Sequence, residues 1–485
     1  MALFNEYGAY DATGLAELIR RGEVSPHELL DTALDRVARH NSDLNAVVIL
    51  AAETARRLID EGLPEGPFTG VPFLLKDLGA EAVDFPTHNG SRLFADTVYA
   101  YDSEIYLRLK KAGLVTFGRT ASPECGVGPV TEAQVYGGPT RNPWNLARTS
   151  GGSSGGAAAA VAAGILPAAH GSDGGGSVRI PASSCGLVGF KPTRARLPEG
   201  PAGGEGWAGM SIDGFLTRSL RDTAALLDAT QGPDLGAPYW PPPLRGSFAE
   251  AMRRPPAPLR IAVCTTTLEG APIDPACREA VEKAAALLEQ LGHSLVDFTA
   301  TVDVRSMMVA WTKIVACGTA LWVRSMGPDR DRDPQSIEAV TRGALRLADT
   351  LSGADYLRCV NAIHNFGRRM ARLFLDFDVL VTATLAEPPA EVGRLGPINE
   401  DFMDYRVGPG GMYDYSPFTA AFNASGQPAV SLPLHWSDEA LPIGVHFAAP
   451  FGEDERLVAL AAQLEEAADW RPQQQSLIAR LMADS

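Results

Sequence analysis

Apolar and polar positions along the chain fall into alternating helical and strand-like patterns. Ser25-Pro26-x-Glu28 predicts a helix start, with Ser25 as N-cap, Pro26 in the first turn and Glu28 closing a capping box, and an amphipathic helix running to about Arg39. The segment GVPFLLKDLGA from Gly70 is a short apolar run and predicts a buried strand ending at the charged pair Lys76-Asp77. Residues 104–118 (EIYLRLKKAGLVTFG) predict helix, glycine, then strand, and the same step recurs in DPACREAVEKAAALLEQLGHSLVDF from Asp274. Strands return at DVLVT from Asp378, PAVSLPL from Pro428 and PIGVHFA from Pro442. Such alternation predicts an α/β layer architecture.

Between these patterned stretches, residues 232–258 are rich in proline and predict a connector over the surface. Residues from about 302 to 375 read as mostly helical and hold Met307, Met308, Trp311, Cys317, Trp322 and Met326. Side chains of this kind line a pocket or simply pack helices together. The run of small apolar residues at 157–169 is broken by Gly164 and Pro167 and is shorter than the roughly 20 residues a bilayer requires, so a buried helix is predicted.

A composition of 45% hydrophobic and 21% charged residues suits a folded chain with a large core. The net charge of −16, with no block of Lys and Arg, argues against a nucleic-acid partner. The six cysteines are far apart and form no C-x-x-C or His-paired spacing, so neither a disulfide framework nor a zinc site is expected. The N-terminal segment lacks a basic stretch followed by an apolar core, so a cytoplasmic location without a membrane partner is expected.

The chemically informative stretch is residues 148–193. Gly151-Gly152-Ser153-Ser154-Gly155-Gly156 and Gly174-Gly175-Gly176-Ser177 place two glycine-flanked serines, Ser153 and Ser177, 24 residues apart. Glycines let backbone amides approach a ligand closely, as an oxyanion hole requires. A serine hydroxyl needs a base within reach, and no G-x-S-x-G elbow or sequence-identified His–carboxylate pair supplies one. A lysine serves if burial keeps it neutral, and Lys76 at the end of its apolar strand is the best placed. Glycine-rich loops also bind phosphate, although no Walker or dinucleotide pattern is present; spacing alone leaves a hydrolase and a nucleotide binder both open.

With GGSSGG, SDGGGSVRIPA, GFKPT, the upstream Lys-Asp pair and the downstream FNASGQPAVSLP, the sequence closely resembles the amidase signature family from Gly70 to about Leu457. The resemblance implies a single domain over 1–485, with a mixed twisted β-sheet covered by helices on both faces. Residues 1–65 would be a helical N-terminal part, 66–232 the core with the motifs, about 302–375 a helical insert near the pocket, and 376–485 the return to the sheet. It implies an amidohydrolase needing no metal or cofactor, with Ser177 as nucleophile, Ser153 as relay serine after a cis peptide from Gly152, and Lys76 as neutral base. The amides of Gly174, Gly175, Gly176 and Ser177 would form the oxyanion hole, and Ser154, Asp173 and Arg179 would hold the serines in place.

One position departs from the pattern: Gly174 stands where the family commonly has Thr or Ile, which predicts a looser or wider oxyanion loop with its amide donors intact. TRNPWNLARTSGGSSGG and SVRIPASSCGLVG are similar to the bacterial aminohexanoate cyclic-dimer (nylon oligomer) hydrolases and related aryl-amidases and urethanases. In those proteins a cysteine of the insert borders the substrate, and Cys317 is its nearest match, with an ordinary buried thiol as the alternative. The implied substrate is a small or oligomeric amide or a carbamate. Other readings are the glutamine-hydrolysing A subunit of a tRNA-dependent amidotransferase, from whose patterns SPECGVG and KPTRARLPEG differ, and a non-catalytic binding module. A homodimer is expected only because two-fold oligomers are common.

Overall fold

The computed structural model describes residues 3–95, 97–298, 302–326 and 335–483; residues 327–334 of the expected insert lie outside the described residues. Among the described residues there are thirteen strands: β1 (Val47–Leu50), β2 (Pro72–Lys76), β3 (Val115–Thr120), β4 (Arg141–Asn142), β5 (Asn145–Thr149), β6 (Ala168–Asp173), β7 (Val188–Lys191), β8 (Ile212–Thr217), β9 (Arg260–Val263), β10 (Ser294–Asp297), β11 (Val379–Ala383), β12 (Ala429–Trp436) and β13 (Pro442–Ala448). Eight form one mixed sheet in the order β10-β9-β11-β13-β12-β7-β8-β6, parallel only among β10, β9 and β11. The sheet is flanked by helices, in keeping with the α/β expectation. A separate three-stranded sheet, β1-β3-β2, carries Lys76 at its end.

Local chemistry explains the elements. The Ser25 capping box forms as expected, and its helix, Pro26–Leu44, continues past Arg39 until Asn45 adopts a left-handed φ of 49°. The apolar run 157–169 is not one helix. It is helix Gly155–Ala162 followed by a turn and the first residues of β6, because Gly164 takes a φ of 72° and Pro167 removes a backbone donor. Helix Val304–Ser325 is apolar and long enough to cross a bilayer, yet most of it is buried within the fold.

The alanine helix Gly155–Ala162 is buried along its whole length and packs against both sheets. Alanine combines strong helix propensity with a small side chain, which permits this close approach. The helix leads away from Ser153 and β6 returns to Ser177, so the out-and-back path brings the two serine loops together. Gly156 makes the tightest approach of this helix: a Cβ there would lie 2.3 Å from the Ala121 backbone nitrogen and 2.6 Å from the Ala46 carbonyl oxygen. Gly156→Ala is expected to destabilise the protein by roughly 1–3 kcal/mol through overpacking, lowering the urea midpoint while the far-ultraviolet circular dichroism spectrum is kept.

Candidate active site

Lys76 ends β2 fully buried, and its Nζ lies 2.7 Å from Ser153 Oγ and 2.9 Å from Ser172 Oγ. Burial pushes its pKa down from 10.5 to about 7, against the opposing pull of the Asp213 and Asp173 charges. The amine is therefore largely neutral above pH 7, able to donate to Ser172 and accept the Ser153 proton. Its backbone N–H donates to His170 Nδ1 at 3.2 Å, and His170 Nε2 carries the proton shared with Asp213 at 3.1 Å. His170 and Ser172 are alternate residues of β6, so both point toward Lys76.

The Gly152–Ser153 peptide is cis, as the resemblance implies. Ser154 joins the two serine loops: its N–H donates to the Ser177 carbonyl at 3.1 Å, and its hydroxyl accepts from the Ser172 N–H at 3.2 Å. Ser153, Ser172, Gly174 and Ser177 all line one cavity of about 260 Å³. Trp207, Trp322 and Tyr101 give its walls aromatic surface, and Glu81, Glu199 and Asp213 add carboxyl groups. Burial, with neighbouring carboxylates, raises Glu199 well above the usual carboxylate range.

Behind the serine loop, Asp173 and Arg179 form a bidentate ion pair (2.9 and 3.0 Å) with both side chains fully buried. Asp173 also accepts from the Gly176 N–H at 2.7 Å, the Val178 N–H at 3.2 Å and Asn423 Nδ2 at 2.9 Å. Despite the burial, the Arg179 charge and these donors hold its carboxyl well below the usual range. Arg179 further donates to the Thr419 carbonyl and Asn423 Oδ1, and it faces His446 Nε2 at 2.9 Å. Burial, with the Arg179 charge, keeps His446 neutral and thus able to accept that bond.

The amidase family profile matches residues 28–458. A 6-aminohexanoate-cyclic-dimer hydrolase of Paenarthrobacter ureafaciens is 37% identical over 477 residues, covering 96% of this chain and 96% of its own. The chain belongs to the amidase signature family. Among solved amidase-signature structures, a 6-aminohexanoate cyclic dimer hydrolase complexed with substrate superposes with a TM-score of 0.91 at 34% identity, covering 98% of this chain and 100% of its own. A bacterial aryl acylamidase superposes with a TM-score of 0.85 at 27% identity, covering 97% and 98%. As an amidase-signature enzyme, the protein is a hydrolase of carbon–nitrogen amide bonds.

Against this frame, two sequence expectations change. The Gly176 N–H is engaged by Asp173, so among the described residues only the amides of Gly174, Gly175 and Ser177 have no acceptor in the loop. Cys317 is half-buried beside Cys359 and does not line the cavity; Gly318, Thr319 and Trp322 of the same amidase helix do. A helix turns about 100° per residue, which carries residue 317 off the face shared by 318, 319 and 322. Sequence reasoning missed Ser172, His170, Asp213, Thr419 and Asn423. The period of two along SDGGGS and the quoted FNASG motif were the available signals for Ser172 and Asn423. Asp173→Ala would leave the Arg179 charge buried without its partner, and urea unfolding is expected to register a loss of about 3–5 kcal/mol.

Proposed function

We propose that this enzyme hydrolyses the C–N acyl bond of a small or oligomeric amide, with an anilide, an extended oligoamide or an aryl carbamate as the matching substrate class. The reaction would run through an acyl-enzyme on Ser177. The observation that carries this reading is the buried, neutral Lys76 amine in hydrogen-bond reach of Ser153, which lines the same cavity as Ser177.

Ser177 Oγ attacks the carbonyl carbon while its proton passes to Ser153 Oγ, which releases its own to Lys76 Nζ. The carbonyl π pair moves onto oxygen and is received by the amides of Gly174, Gly175 and Ser177. The Gly176 amide, bonded to Asp173, holds the loop's shape. Collapse of the tetrahedral adduct breaks the C–N bond, and the proton returns through Ser153 to the departing nitrogen. A water then attacks the ester carbonyl, gives its proton to the same relay, and the C–O bond to Ser177 breaks as that oxygen is reprotonated. A serine with an adjacent base and preorganised amides is the recurrent arrangement for acyl transfer.

The test is a panel of an anilide, an aliphatic primary amide, a nylon-type oligoamide, an aryl carbamate and glutamine. Amine release from the anilide, oligoamide or carbamate is expected, falling by roughly 10⁴-fold or more in Ser177→Ala. Turnover of glutamine alone, or of nothing, would overturn the proposal. A pH–rate profile checks the base. Lys76 must be unprotonated to accept, so kcat/KM is expected to rise with pH to a bend at about 7, and Lys76→Met is expected to abolish turnover at every pH.

A further inference from the structure

Two tryptophans that the reaction scheme does not use hold the oxyanion loop, Trp311 from outside the cavity and Trp207 from its wall. Trp311, 1% exposed on helix Val304–Ser325, donates its Nε1–H to the Gly174 carbonyl at 3.2 Å. Its ring lies so close to the loop that a Cβ on Gly175 would come within 2.8 Å of it. The C=O and N–H of a trans peptide point in opposite directions. By taking the Gly174 carbonyl, the indole turns the Gly175 N–H away from itself.

The indole is itself fixed on two sides. The buried Arg406 guanidinium lies 4.6 Å from its centroid, an electrostatically favourable stack, and Trp207 meets it edge to face with centroids 5.9 Å apart. Trp207 also occupies the room left by the missing side chain of residue 174. A Cβ on Gly174 would lie 2.5 Å from Trp207 Cζ3, and one on Gly318 would lie 2.8 Å from Trp207 Cδ1. The ring is slotted between a glycine of the oxyanion loop and a glycine of the insert helix. Trp207 and Ala208 reach this position with left-handed φ angles of 50° and 55°, uncommon for residues other than glycine and rarer still for a bulky one.

We infer that Trp311 and Trp207 are positioning residues for the oxyanion hole: Trp311 directs the Gly175 N–H, and Trp207, seated against side-chain-free Gly174, keeps Trp311 and the loop in register. This rests on the acyl-enzyme reading above. The loop is accordingly not loosened by Gly174, as its sequence suggests, because an aromatic ring from elsewhere fills the space.

Trp311→Phe keeps an aromatic ring beside Arg406 and deletes the Nε1–H donor together with the pyrrole half of the indole. In the full-length enzyme on an anilide, kcat is expected to fall by at least about tenfold with KM within about twofold, where outright removal of an oxyanion donor costs roughly 100- to 1,000-fold. Affinity for a trifluoromethyl ketone analogue, whose adduct carries the oxyanion, should fall in parallel. Trp207→Ala, which removes the ring, and Gly174→Thr, which displaces it, should each lose a similar factor, and Gly174→Thr/Trp207→Ala should lose little more than either alone. Retention of kcat and analogue affinity within twofold in Trp311→Phe overturns the inference. If that variant does not fold, a fully active Gly174→Thr or Trp207→Ala overturns it equally. Failure of the acyl-enzyme reading shows separately, as absence of turnover in the wild-type protein or its persistence in Ser177→Ala.

Discussion

The burial of one amine at the seam between two sheets is the constraint on which the rest of the structure depends. Lys76 comes from the small sheet, while the residues that receive its Nζ, Ser153 and Ser172, belong to the loop and strand on either side of the alanine helix. Out of water the charged form of an amine is disfavoured, and the resulting fall in pKa converts a side chain that is normally a cation into an acceptor. In the unfolded chain Lys76 would hold its proton to about 10.5, in the folded one only to about 7. Between those values the unfolded state binds more protons, so this group's contribution to stability grows as pH rises from 7 towards 10.5.

The serine loops solve a different problem, that of holding several backbone amides in one orientation without leaving buried polar groups unpaired. Asp173 does most of this by taking the Gly176 and Val178 amides together with Arg179 and Asn423. Thr419 receives no charge but donates its hydroxyl to the Gly175 carbonyl at 2.7 Å. A fully satisfied buried network of this kind rigidifies, whereas the loss of one member strands the others. The same arrangement explains why one of four glycine-region amides is spent on structure.

The serine motifs, the lysine strand and the α/β alternation were legible because each is local: capping chemistry at Ser25, an apolar run ending in Lys76, glycines packed around two serines. Residues defined by a partner far along the chain were not. Asp213 matters because β8 pairs with β6 in a register that puts it opposite Ser172, and no local pattern gives that register. Trp311 read as pocket lining or helix packing and Trp207 carried no signal of its own, and only their meeting across more than 100 residues of chain reveals what they touch. The run 157–169 was misread as one helix since small apolar residues serve a buried helix and a buried strand equally well. Cys317 was misplaced by a single residue, which on a helix is enough to change the face.

The placement of Lys76 has a consequence for how the molecule fails. The proposed nucleophile and relay, Ser177 and Ser153, lie on one contiguous stretch, but the proposed base, Lys76, arrives from a separate sheet held to that stretch by side-chain contacts such as that of His170 with the Lys76 backbone. Any excursion that parts the small sheet from β6 would let water reach the amine, restore its charge and silence the serines while the eight-stranded sheet remains intact. On the proposed mechanism, catalytic competence is therefore a readout of inter-sheet docking, and it reports on the seam more sensitively than any measure of total secondary structure.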